Sequence, residues 1–149
     1  MKFKSYFFIG ALLISPLAAL AQDQIFTGKW SIDLRSEKER QQKAECGEAS
    51  FSLQQSGEVI TGSHELYTVG CGRINEGGSK SVHGMVVGNT AMLVVTSGRN
   101  GTIVIGKAVL EGNVMHWETR EEVYAGTPGD SPLILTKGIL KRVLGQGQQ

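Results

Sequence analysis

Three short punctuations, Ser56-Gly57, Gly88-Asn89 and Gly112-Asn113, each separate two runs rich in Val, Ile, Thr and aromatic residues. Gly and Asn tolerate the positive φ that tight hairpin turns need, so each junction is predicted to fold the chain straight back on itself. The same punctuation continues elsewhere: twenty glycines in 149 residues, about twice the usual share, fall between short apolar segments instead of in one tract. The segments read as eight strands, at 26–34, 49–55, 58–67, 81–87, 90–97, 102–110, 114–123 and 132–143. Sequential strands joined this way form a meander, and closing it removes both exposed edges. The predicted fold is therefore all-β, an eight-stranded antiparallel up-and-down barrel.

Loop lengths add a polarity to that barrel. The three minimal turns occupy the second, fourth and sixth gaps, which emerge at one rim. The longer connections, 35–48, 68–80, 98–101 and 124–131, all emerge at the other. Loops on a rigid scaffold are where binding groups concentrate, so the long-loop rim is the candidate working surface. Within the first gap, "RSEKERQQKAE" has no apolar face, but Ser36 followed by Glu39 is a capping-box pattern and Glu39 with Lys43 a favourable i,i+4 pair. A short helix or charged loop is predicted there.

The first residues carry Lys2 and Lys4, an apolar run over 6–14, Pro16, and the small-residue close Ala19-Leu20-Ala21. That is the layout of a secretory signal peptide, with cleavage expected after Ala21 and a single barrel domain over 22–149. The apolar run is shorter than a bilayer span and no cysteine follows it, so a soluble product without a lipid anchor is expected, periplasmic or extracellular. Cleavage would leave 13 basic against 14 acidic side chains, mixed along the chain. Nucleic acid and membrane insertion are thereby disfavoured as roles. Cys46 and Cys71 fall in the first and third gaps, at the same rim. In an oxidising compartment a disulfide is the default, since a redox site wants C-x-x-C and structural zinc wants four ligands.

The segments "TGKWSIDLRS", "VHGMVVG", "NVMHWET" and "GILKRV" carry a family likeness. In layout the chain resembles the calycin superfamily of lipocalins, fatty-acid-binding proteins and avidins, and its first strand is most similar to that of avidin and streptavidin. The resemblance implies that Trp30 plugs the tight end with Arg142 across its ring. It does not extend to biotin. Ser36 is in place, but Ile32 stands where the family has an asparagine, His64 where it has a tyrosine, and Val94 or Val95 where it has a tryptophan. Tight biotin binding is not expected.

Strand alternation from an inward Trp30 turns Gly28, Ile32 and Leu34 inward on the first strand, and Met115, Trp117, Thr119 and Glu121 on the seventh. Trp117, His64, Glu121, Thr119 and, by the resemblance, Ser36 form the candidate ligand-binding group near the long-loop mouth. Side chains alone can also fill an eight-stranded barrel, and both readings stay open here. His64, His83 and His116 lack metal-ligand spacing, and Ser31 with Asp33 lacks the context of a nucleophile, so no catalytic residue, metal or cofactor is assigned. Asn100-Gly101-Thr102 is a formal glycosylation sequon. The expected function is non-enzymatic binding of a small, partly apolar ligand at the long-loop rim. The alternative is a protein-interaction module, an inhibitor or immunity-type protein, that meets an envelope or extracellular partner with the same loops. Oligomers are compatible with the sequence, although no apolar exterior strip stands out.

Overall fold

The computed structural model describes residues 24–144; the expected signal peptide lies outside them. The chain forms β1 (Gly28–Asp33), α1 (Glu37–Gln41), β2 (Cys46–Ser56), β3 (Val59–Val69), β4 (Ile74–Glu76), β5 (Val82–Val87), β6 (Thr90–Thr96), β7 (Ile103–Glu111), β8 (Val114–Tyr124) and β9 (Lys137–Arg142). Every pairing is antiparallel, in the order β2-β1-β9-β8-β7-β6-β5-β3-β4, and β2 pairs β3 to close the ring. The result is a closed eight-stranded barrel with one short helix after its first strand. Hydrophobic alternation sets the register: on β7, Val104, Gly106, Ala108 and Leu110 are buried while the residues between them face outward.

The tight rim is built as the turn chemistry dictates. Only the glycine of each Gly-Asn pair takes positive φ, 62° at Gly88 and 60° at Gly112, so the asparagine is not needed for that purpose. At the floor Trp30 is fully buried and Arg142 lies over its ring, 4.0 Å from guanidinium carbon to centroid. Trp30 Nε1 donates to Phe26 O at 2.9 Å, and Arg142 donates to the carbonyls of Ile25 and Thr27. The floor is thus sealed by an indole whose polar edge and cationic cover are both hydrogen-bonded.

Above the floor the interior is occupied by buried side chains, among them Phe51, Leu53, Ile60, Leu93, Met115, Trp117 and Leu140. Phe51 meets Trp117 with ring centroids 4.9 Å apart and His64 at 4.8 Å, so an aromatic cluster spans the upper core. Of the two interiors left open by the sequence, the structure has the filled one.

Three departures from the predicted strands bear on the rim. The 68–80 gap contains β4, which pairs Glu65–Tyr67 of β3 while β5 pairs Val59–Gly62; with one apolar residue in three, β4 carries no readable alternation. The last strand begins at Lys137, not at 132. Pro132 has no N–H for a ladder, and Leu133 turns to φ 45°, so 132–136 leaves the wall and enters the mouth as a strap. Finally, β8 has register shifts against β7: Gly106 faces Thr119, but Ile105 faces Glu121. Arg120 is an extra residue, and a bulge of one residue flips the side chains beyond it. Glu121 is consequently opposite an outward position and exposed, which corrects its inward assignment. Leu34, also expected inward, is 36% exposed past the end of β1.

Candidate functional site

The long-loop rim is held together by buried polar side chains. Asn75, alone of β4 in being fully buried, donates from Nδ2 to the carbonyls of Pro132 and Leu133, both at 3.1 Å, and accepts Gly98 N–H at 3.0 Å. Ser97 Oγ donates to Pro132 O at 2.7 Å. Arg99 reaches both neighbours, donating to Ile74 O at 2.9 Å and to Asp130 Oδ1 at 2.6 Å, and this guanidinium holds the Asp130 carboxyl below its ordinary range. Asn100 Nδ2 donates to Asp130 O at 2.9 Å. The loops after β3, β6 and β8 are therefore fastened to one another without any sheet ladder between them. Asn100 is only 8% exposed with its amide engaged, so the folded chain does not present the sequon to a glycan.

On the other side of the rim, Cys46 opens β2 and Cys71 follows β3, and the two form a disulfide with Cα atoms 5.3 Å apart. Their shared position is the one that the meander order predicts. Ser36 is the N-cap of α1: its hydroxyl accepts Glu39 N–H while the Glu39 carboxylate accepts Ser36 N–H, which lowers the carboxyl's pKa. Ser36 thus belongs to the helix start and is exposed, apart from the mouth.

Three of the five candidate ligand-binding residues do converge, and what they converge on is the strap. Leu135 is 6% exposed, with its side chain in the mouth. Its carbonyl accepts Trp117 Nε1–H at 2.6 Å and Thr119 Oγ1–H at 3.2 Å, and its N–H donates to His64 Nε2 at 3.3 Å. A histidine nitrogen that accepts leaves the proton on the other, so Nδ1 carries it in the neutral ring, and Nδ1 is buried without a partner among the described residues. Burial alone pushes the His64 pKa down to about 4, since the charged ring would sit among Phe51, Trp117 and Leu135 without water. Glu121 and Ser36 take no part.

The sequence signals for this arrangement were slight. Asn75 sits in "GRINEGG" with nothing to mark it as a clamp. Gly106, in the middle of β7, is more informative: a Cβ there would come within 2.1 Å of Trp117 Cη2, so the indole lies against bare backbone.

Outside the barrel, a groove of about 430 Å³ runs over β7, β8 and β9 between Lys107, Val109, His116 and Ile139. Beside it, Val59 faces Met85 and Met85 faces Met92 across the ladders, all exposed, so an apolar exterior strip does exist, split in sequence among three strands. Among the described residues, no group of three or more His, Cys, Asp or Glu side chains is placed to hold a metal ion, and no helix is long and apolar enough to cross a membrane. No family model, no curated protein and no solved structure matches the chain.

Proposed function

We propose that this chain is an exported, non-enzymatic binding protein whose working surface is the long-loop rim, and that its partner is a macromolecule met from outside the barrel. One observation carries the reading. Buried Asn75, with Ser97, Arg99 and Asn100, locks three loops into one surface, while the mouth beneath is filled by Leu135. Loops fixed before binding lose little freedom on association, which favours a protein partner. A filled interior leaves a carried small molecule no enclosed space, so the small-ligand expectation ranks below the protein-interaction one. The likeness to avidins stays a proposal at the level of fold, and the signal-like N-terminus and the disulfide both fit export.

The test is affinity capture from the export compartment with wild type and with a double variant, Arg73→Ala plus Lys80→Ala, both exposed on the connections either side of β4. Arg99 is left intact because it is part of the clamp. A specific partner retained by wild type and weakened about tenfold or more in the variant supports the reading. Equal retention by both, or no partner for wild type, refutes it.

A further inference from the structure

The strap is held as a ligand would be. Its backbone is read by side chains from β3, β4, β8 and the loop after β6: Pro132 O by Asn75 and Ser97, Leu133 O by Asn75, Leu135 N–H by His64, and Leu135 O by Trp117 and Thr119. One backbone bond, Thr119 N–H to Thr136 O, extends the β8–β9 ladder into it. On the opposite side, β1 and β9 are in register only at Trp30–Arg142 and Ser31–Lys141, so no ladder ties the strap to the upper part of β1. Side chains that satisfy both the N–H and the C=O of one residue, around a pocket holding its isobutyl group, constitute recognition of a peptide group bearing an aliphatic side chain.

Two features mark the occupancy as imperfect. Leu133 is held at φ 45°, a left-handed conformation that residues other than glycine rarely adopt and that strains the backbone there. His64 Nδ1 is buried with no partner among the described residues, a donor the strap does not use.

We propose that the mouth is a peptide-recognition site occupied in cis by residues 132–136, and that an extended segment of the partner, carrying an aliphatic residue, takes the strap's place. This rests on the rim being the binding surface and adds the chemistry by which the rim recognises its partner. Displacement relieves the backbone at Leu133, and an incoming chain can offer His64 Nδ1 the acceptor it lacks. Nothing in the exchange is covalent: one set of hydrogen bonds replaces another.

The probe is the strap's own centre, N-acetyl-Ile-Leu-Thr-amide, titrated into isotope-labelled full-length protein while the indole N–H of Trp117 is followed by NMR. In wild type the tethered strap competes at an effective concentration on the order of millimolar or higher, so little response is expected. Leu135→Gly removes the side chain that fills the pocket and weakens the strap by about ten- to a hundredfold. This variant is expected to bind the probe with a shift of the Trp117 indole, and at least about tenfold more tightly than a probe with Asp in place of Leu. A folded Leu135→Gly protein whose indole does not move, or that responds equally to the Asp probe, overturns the proposal. If that variant does not fold, hydrogen exchange on wild type decides. Leu135 N–H exchanging about a hundredfold or more faster than the core amide of Leu93 supports a strap that opens alone, and equal rates overturn it. Arg73→Ala plus Lys80→Ala leaves the titration unchanged, so failure of the peptide site and failure of the rim reading are separate results.

Discussion

Acid should destabilise this barrel through His64 before it reaches the paired carboxylates of Asp33, Glu39 and Asp130. The ring is fully buried, and its pKa is lowered from 6.5 to about 4 by desolvation. Among the described residues no charged group opposes or assists it: Phe51 of β2, Trp117 of β8, Leu135 of the strap and Asn75 of β4 are all uncharged, and desolvation is the one cause of the shift. A histidine with a depressed folded pKa binds its proton more readily when unfolded. Its contribution is therefore complete above pH 6.5 and is lost as pH falls towards 4. Integrated over that shift, the loss is about 2 kcal/mol between pH 7 and 5 and about 3 kcal/mol by pH 4. Asp33 is held near 2 by Arg35, and Glu39 and Asp130 are lowered by Ser36 and Arg99, so their losses come at lower pH. His64→Gln keeps an oxygen that can accept Leu135 N–H and does not titrate. Urea unfolding from pH 7 to 5 should give a falling stability for wild type and a nearly level one for the variant, with the two converging as pH drops. Parallel curves for the two proteins across that window would refute the reasoning.

Three further outcomes follow from the packing. Reducing Cys46–Cys71, which spans 25 residues, should cost about 3.5 kcal/mol in urea unfolding with and without reductant. Arg142→Ala removes the cover of Trp30 and the donors to Ile25 O and Thr27 O, and should lower stability by about 3 kcal/mol; Arg142→Lys should recover less than half, because an ammonium lacks the planar fork. Gly106→Ala drives a methyl into the Trp117 ring and should cost about 2 kcal/mol or more, with a displaced Trp117 indole N–H resonance as the local readout.

The architecture was legible because its rules are local. Glycine-centred turns, alternation and loop lengths give the strand order, the closed ring and the sorting of loops to one rim, and the disulfide follows from that order. What could not be read was decided by long-range competition. The apolar run Pro132-Leu133-Ile134-Leu135 looks like the start of a strand, and only the presence of acceptors and donors on His64, Trp117 and Thr119 turns it inward. Glu121 was misplaced because one bulge residue, Arg120, reverses alternation without altering composition. Asn75 was invisible because a clamp of this kind is defined by the carbonyls it meets, which come from residues more than fifty positions away. Trp117, His64 and Thr119 were found as a group, but their occupant is the chain itself.

Lysines are distributed so that cross-linking can tell the rim from the wall. Lys43 and Lys80 lie on long-loop connections, whereas Lys107 and Lys141 lie on β7 and β9 along the outer face. With the partner bound, amine cross-links are predicted to join it through Lys43 and Lys80 and to spare Lys107 and Lys141. Links concentrated on Lys107 and Lys141 would contradict a rim interface and move the binding surface to the outer wall.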